Sequence, residues 1–265
     1  MMSDILFSVK NQIGTITLNR PNALNAFSME MITNWIKILE EVRDTDSIKV
    51  LVLTGNGKAF CAGGDIKSMK AEEGFINKTD KFNQVDLGTT GMDRKNSLWK
   101  YIQKIPLLLQ EIDKPVIAAV NGHAVGAGLD MALMCDMRFI SQSAKISAGY
   151  INVGLVPGDG AAYFLPRIVG VDKALDLLWT GKTITAEEAK DIGIATYISK
   201  QENLLNEVYD YCEQLIKQPQ VPLRLIKRSL YQGLNMDLRS SLDMISSHMG
   251  LVTELEEYKE KLKLI

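Results

Sequence analysis

Two stretches of small residues in this chain suit chemistry done by backbone amides rather than by side chains. The first is Lys58-Ala-Phe-Cys-Ala-Gly-Gly-Asp-Ile-Lys67. Small residues let the backbone approach a ligand closely, so an N–H here can meet an anionic oxygen. The second is Asn121-Gly-His-Ala-Val-Gly-Ala-Gly-Leu-Asp130, a passage from an expected strand into an expected helix. The first N–H groups of a helix have no intrahelical acceptor and carry partial positive charge, so an oxyanion is stabilised there. Gly126 and Gly128 flank Ala127 and leave space beside it for a ligand. Taken singly, each stretch also fits an ordinary turn or the close packing of a helix on a sheet. A dinucleotide-binding fingerprint is disfavoured, because the glycines lack its spacing and no helix clearly starts on the first stretch.

Each stretch follows a short apolar run, residues 50–53 and Val116–Val120, with the length and composition of a buried strand. Residues 5–9 and 13–18 are rich in strand formers around the polar Asn11-Gln12 pair and predict a hairpin. From Ser28, a candidate N-cap, Met31, Ile32, Trp35, Ile36, Ile38, Leu39 and Val42 recur at helical spacing. Residues 71–96 are polar, contain Gly74, Gly88 and Gly91, and lack sustained periodicity, so a mobile or lid segment that sets substrate specificity is expected there. A helix over 98–112 interrupted at Pro106, a helix over 127–135 and a strand over 137–140 complete an α/β alternation. Beyond Val171 the chain reads as mostly helical, with a capping box at Thr185-Ala-Glu-Glu188. Leu204–Ile216, 223–231 and 238–263 carry apolar residues three and four apart, faces able to cover the core or a neighbouring subunit.

With 46% hydrophobic and 23% charged residues, 265 residues suffice for one domain, or a large and a small one, around a sizeable core. A formal charge of -2 and a pI near 5.8 provide no general attraction for nucleic acid. Cys61, Cys135 and Cys212 are widely spaced and suggest neither a disulfide framework nor a CxxC metal site, which fits a reducing, cytoplasmic setting. The N-terminus has no long apolar segment and the later apolar runs are strand-sized, so neither a signal peptide nor a membrane span is expected.

A series of motifs in fixed order carries a resemblance to a known family. They are Asn19-Arg-Pro-Asn-Ala-Leu-Asn-Ala26, Phe60-Cys-Ala-Gly-Gly-Asp-Ile66, Lys114-Pro-Val-Ile-Ala-Ala-Val-Asn-Gly122, Gly126-Ala-Gly128 and Cys135-Asp136, then Gly154-Leu-Val-Pro157 and Thr180-Gly181 followed by Ala186-Glu-Glu-Ala189. Together they resemble the enoyl-CoA hydratase/isomerase family of the crotonase superfamily across nearly the whole chain. The resemblance implies an α/β fold, a spiral of ββα units with a C-terminal helical region. Residues 1–200 would be the acyl-CoA-binding core, and 201–265 would cover the active site and make the contacts of a homotrimer or homohexamer. It also implies an acyl-CoA thioester substrate and an oxyanion hole made by the backbone N–H groups of Ala62 and Ala127. Ala62, Gly63, Gly64 and Asp65, with Ala23, Leu24, Lys58 and Ile66, would border the CoA. No separate redox cofactor and no metal is implied, because the CoA belongs to the substrate.

Such a hole lets negative charge collect on the thioester oxygen while an enolate forms, so it can serve several reactions. A standard hydratase of this family uses two glutamates, and the matching positions here are Asp130 and Tyr150. Asp130 keeps a carboxylate on a shorter side chain; Tyr150, with an ordinary pKa of about 10, cannot act as a carboxylate base. Asp159, in Val156-Pro-Gly-Asp-Gly160, lies one position away from the catalytic aspartate of some family isomerases and dehalogenases. It suits N-capping of a helix over 161–168 equally well, and Asp130 suits the dipole at the first turn of its own helix. Cys61 lacks a recognisable base partner and reads as a small packing residue, while the loop position of His123 favours backbone bonding or packing over proton exchange. The expected activity is double-bond isomerisation ahead of hydration, because isomerisation only relocates a proton. Asp130 or Asp159 would carry that proton, and the Tyr150 hydroxyl could bond substrate. Hydrolysis, decarboxylation or ring formation on acyl-CoA, and a noncatalytic acyl-CoA-binding protein, stand as alternatives.

Overall fold

A computed structural model describes residues 3–70, 79–80, 85–86, 88 and 90–263. The chain begins with strands β1 (Ile5–Lys10) and β2 (Ile13–Leu18), helix α1 (Met29–Asp44), strands β3 (Val50–Gly55) and β4 (Ala59–Cys61), and helix α2 (Ile66–Lys70). A two-stranded ribbon, β5 (Thr79–Asp80) and β6 (Val85–Asp86), precedes helices α3 (Gly91–Lys100) and α4 (Lys104–Glu111). Next come β7 (Val116–Val120), β8 (His123–Val125), α5 (Ala127–Leu133), β9 (Met137–Ser141) and β10 (Lys145–Ser147). Helices α6 (Ala161–Val169) and α7 (Val171–Thr180), β11 (Thr183–Thr185), α8 (Ala186–Asp191) and β12 (Tyr197–Ser199) follow. The chain ends in α9 (Leu204–Ile216), α10 (Gln220–Gly233), α11 (Leu238–Thr253) and α12 (Glu256–Leu262).

The expected hairpin is present: β1 and β2 pair antiparallel, with Asn11 and Gln12 both at positive φ, as a primed two-residue turn requires. From β2 onward the six-stranded sheet is parallel, in the order β1-β2-β3-β7-β9-β12. Its central strands β3 and β7 are buried on both faces, and alternate residues of β3 serve the two sides. Leu51 and Leu53 face α1, whose Met31, Ile32, Trp35, Leu39 and Val42 form the apolar stripe foreseen from their spacing. Val50 and Val52 face α9 through Leu204, Val208 and Cys212. Ser28 caps α1 by accepting from the Met31 amide at 3.1 Å, a contribution of about 1 kcal/mol. Lys114 closes the other end: its buried ammonium donates to the carbonyls of Val42 (2.5 Å) and Thr45 (2.7 Å).

A second sheet, β11-β10-β8-β4, supplies two three-residue strands, β4 and β8, too short to leave a periodic signature. The helix expected over 98–112 breaks earlier than Pro106, between α3 and α4. Pro106 sits in the first turn of α4, where its missing N–H removes no intrahelical bond. The Thr185/Glu188 capping box forms as expected. Of the lid expected over 71–96, residues 71–78, 81–84, 87 and 89 lie outside the described residues.

Within the region 201–265 expected to be a helical covering, the apolar stripe of α9 packs on the six-stranded sheet. Helices α10, α11 and α12 bury no residue and form an arm exposing Ile226, Leu230, Leu234, Leu238, Leu242 and Met249. Among the described residues no helix is long and apolar enough to cross a membrane.

Candidate active site

The parallel pairing of β4 with β8 sets Cys61 opposite Ala124 and so delivers the two small-residue loops side by side. Two glycines make their contact possible. A Cβ on Gly63, which has φ +79°, would lie 2.7 Å from the Val125 carbonyl oxygen, and one on Gly128 would lie 2.0 Å from that of Cys61. The space expected beside Gly128 for a ligand is therefore filled by the backbone of the other loop.

The backbone amides of these loops differ in availability. Ala62, expected to be an oxyanion donor, gives its N–H to the Leu24 carbonyl at 3.0 Å, so that donor is already engaged. Leu24 is held in the left-handed region (φ 51°, ψ 35°), at a cost on the order of 1–3 kcal/mol for such a side chain. The neighbouring Asn25 over-determines the turn: its carboxamide accepts from the Arg20 amide (2.8 Å) and donates to the carbonyls of Asn56 (2.9 Å) and Ala59 (2.8 Å). The amides of Gly64 and Ala127 have no acceptor among the described residues. Ala127 is the first residue of α5, where an unpaired N–H is intrinsic.

Gly64 and Ala127 both line a cavity of about 270 Å³. Its side chains are mainly apolar, among them Ile66, Met69, Leu98, Val153, Leu155 and Val156, while Asp159 and Arg94 are the charged ones among the described residues. Val156 is 80% exposed, so its loop serves the cavity mouth rather than the core. Of the residues expected to border a CoA, Ala62, Gly64 and Ile66 lie on the cavity wall, whereas Ala23, Leu24, Lys58, Gly63 and Asp65 do not. Asp65 ties the first motif together instead, accepting from the Lys67 and Ser68 amides and pairing with Arg20 at 3.2 Å. Burial alone would raise its pKa, yet these donors and the guanidinium hold it below the ordinary value.

A larger cavity, about 570 Å³, lies where α10 meets α5 and α6. Its carboxylate, Asp136, is occupied by the Val116 amide, the Lys227 ammonium and the Tyr231 hydroxyl, which leaves it no free acid or base of that kind. The smaller cavity is therefore the candidate active site.

The three side chains singled out from sequence, Asp130 and Asp159 as candidate proton carriers and Tyr150 as a hydroxyl able to bond substrate, are brought together there in unequal positions. Asp130 is fully buried and absent from the cavity wall, whereas Tyr150 and Asp159 line it. Oδ2 of Asp130 accepts from the Tyr150 hydroxyl and from the Ala161 amide, each at 2.9 Å. The same hydroxyl lies 3.4 Å from Oδ2 of Asp159, and Oδ1 of each carboxylate has no hydrogen-bond partner among the described residues. Asp159 is not the N-cap of α6: that residue is Gly160, without a side-chain cap, and the helix's first amide is taken by Asp130. The capping role foreseen for Asp159 thus falls to Asp130, reaching from α5.

Burial pushes the pKa of Asp130 up to about 8, helped by the like charge of Asp159 and opposed by the Ala161 and Tyr150 donors. Burial also raises Asp159, to about 6, opposed by the Tyr150 hydroxyl. Tyr150 is driven far upward by burial and by both carboxylates, so its proton stays on the phenol. Both carboxyls are thus raised by burial, the inner Asp130 further than the outer Asp159, a separation that lets two like groups take different roles. Cys61 is inert: burial lifts its thiol to about 12 and the thiol donates to the Asn25 carbonyl. His123 is exposed and not on the cavity wall.

Residues 8–263 match the family model described as enoyl-CoA hydratase/isomerase. YngF of Bacillus subtilis, which carries an enoyl-CoA hydratase/isomerase name, is 35% identical over 245 residues, 91% of this chain and 87% of its own. The 1,2-epoxyphenylacetyl-CoA isomerase of Escherichia coli is 33% identical over 260 residues, 98% of this chain and 94% of that protein. Among solved structures, an enoyl-CoA hydratase from Bacillus anthracis matches with a TM-score of 0.87 and 27% identity, covering 98% of this chain and 95% of its own.

Proposed function

This chain belongs to the enoyl-CoA hydratase/isomerase family of the crotonase superfamily, and from that premise we propose that it relocates the double bond of an enoyl-CoA thioester through an enolate. The observation that carries the proposal is the pairing, on one cavity wall, of a single carboxylate, Asp159, with the two free amides of Gly64 and Ala127. Relative to the expectation from sequence, Gly64 replaces Ala62 as the first donor.

In this mechanism the thioester oxygen sits between the two amides. The Asp159 carboxylate removes a proton from the carbon next to the thioester or its vinylogous partner. The electron pair of the broken C–H bond spreads to the oxygen, and the resulting dienolate is stabilised where its charge develops. The carboxylic acid formed at Asp159 then returns the proton to the other end of the conjugated system. A base with a pKa of about 6 is mostly ionised at neutral pH yet strong enough to accept a proton. Hydration in the two-glutamate manner needs a second group that cycles its proton, and Tyr150 holds its own too tightly. We further propose that the exposed apolar faces of α10 and α11 pack against other copies of the chain in a homotrimer or homohexamer, which light scattering would read as three or six chain masses.

The activity test presents a 3-enoyl-CoA and, separately, a 2-enoyl-CoA to the protein. Conversion of the first to the conjugated 2-enoyl thioester, faster than water adds to the second, supports the proposal. Hydration outpacing isomerisation, or tight acyl-CoA binding without any turnover across a panel of chain lengths, contradicts it.

A further inference from the structure

We infer that Asp130 is a positioning residue acting through Tyr150: it captures the one phenolic proton and so leaves Asp159 without a strong hydrogen-bond donor, free to act as the base. The inference rests on Asp159 being the proton carrier and concerns what keeps it so.

A phenol has a single O–H, so it can serve one of the two carboxylates fully but not both. The geometry shows which: Tyr150 lies 2.9 Å from Asp130 and 3.4 Å from Asp159. The Ala161 amide anchors the same Asp130 oxygen at 2.9 Å, fixing the acceptor in the position that draws the phenol inward. Tyr150 is itself buried, 8% exposed, on the cavity wall beside both carboxylates. The groups facing Asp159 are few. Asp130 comes from α5, Tyr150 from the turn after β10, and the buried, neutral Cys61 from β4, while Arg94 of α3 is an exposed member of the same cavity wall. No amide of α6 bonds Asp159, so the Tyr150 hydroxyl is its one side-chain or backbone donor among the described residues.

Were the inner acceptor removed, the phenol would turn outward. A full hydrogen bond to the charged form of Asp159 would stabilise that form and weaken it as a base. The Asp130 carboxyl therefore raises the basicity of a residue it does not touch, by withholding a donor from it.

The test is the titration midpoint of Asp159, read by carboxyl carbon-13 NMR and assigned by its loss in Asp159→Asn. The pH dependence of kcat/KM is followed in parallel. Asp130→Ala is expected to lower the midpoint by about one to two pH units, the size of a hydrogen bond to a charged group. Tyr150→Phe is expected to raise it, and in that background Asp130→Ala should lose most of its effect. Asp130→Asn, whose amide oxygen can accept from both Tyr150 and Ala161, should restore the midpoint toward the wild-type value and remains available if Asp130→Ala does not fold. The inference is overturned if Asp130→Ala leaves the midpoint in place, or shifts it equally with and without the phenol, which would make like-charge repulsion the whole effect. Asp130→Asn that abolishes turnover while the Asp159 midpoint stays fixed would also overturn it. The NMR midpoint requires no turnover, so a protein that fails to isomerise enoyl-CoA would refute the proposed reaction and still decide this inference.

Discussion

Asp159→Asn separates chemistry from architecture more cleanly than any other single change in this chain. Among the described residues the carboxylate contributes little to the fold: Oδ1 has no partner, Oδ2 has one contact of 3.4 Å, and the adjoining helix is capped without it. Replacing a buried, unpartnered carboxylate by a neutral amide should therefore leave the unfolding temperature unchanged or raise it. The chemical cost is of a different size. A positioned general base contributes about 100- to 10,000-fold, equivalent to about 3–5 kcal/mol of transition-state stabilisation. Isomerisation of a 3-enoyl-CoA, followed by the absorbance of the conjugated thioester, should fall by that factor in kcat. Uptake of solvent deuterium into recovered substrate should fall with it, while affinity for a saturated acyl-CoA, measured by calorimetry, stays within a few-fold of wild type. A variant that is stable and retains more than a tenth of the wild-type kcat with undiminished deuterium uptake would refute the assignment of the base. A loss of activity that merely tracks a loss of folded protein would refute the claim that Asp159 is dispensable to the fold.

Ala127→Pro deletes one of the two free amides at the first helical position, where proline is tolerated, so a folded protein with kcat reduced about 100- to 1,000-fold is expected by circular dichroism and kinetics. Gly128→Ala places a Cβ 2.0 Å from a backbone oxygen of the facing loop and should lower stability by about 1–3 kcal/mol in urea unfolding, with activity lost as the loops separate. The pH dependence of stability follows from two carboxyls whose folded pKa values lie above the ordinary 3.8, at about 8 and about 6. Over that window the folded state binds more protons than the unfolded one. Stability therefore falls as pH rises, by at most about 1.4 kcal/mol per pH unit for each group. Asp130→Asn removes the larger contribution, so its gain in thermal stability should be largest at pH 8 and shrink toward pH 5.

The elements with a long periodic signal were legible in the sequence. The apolar stripe of α1 with its Ser28 cap, the Asn11-Gln12 hairpin, the buried strand at Val116–Val120 and α9 all appear where spacing placed them. The ordered motifs located the two loops and the family. Hydrogen-bond accounting was not legible. The Ala62 amide is consumed by a leucine carbonyl 38 positions away in the chain, in a left-handed turn that no local pattern announces. The strands that align the loops, β4 and β8, are three residues long and show no alternation to detect. The sequence left the proton role open between the two aspartates for a related reason. Proximity in sequence suggested that Asp159 caps α6, whereas the tertiary fold brings Asp130 to the Ala161 amide and turns Asp159 toward the cavity. The apolar wall drew on Met69, Leu98 and Val156, residues from separate elements whose convergence exists only in three dimensions.

A crystal structure with an unreactive acyl-CoA analogue tests the central claim most directly. The account predicts a thioester oxygen about 2.7–3.1 Å from both the Gly64 and Ala127 nitrogens, with Oδ1 of Asp159 against the carbon that bears the transferable proton. It would be contradicted by an oxygen bound elsewhere, by an Ala62 amide released from Leu24 to take it, or by Asp130 turned into contact with the acyl chain while Asp159 stays away.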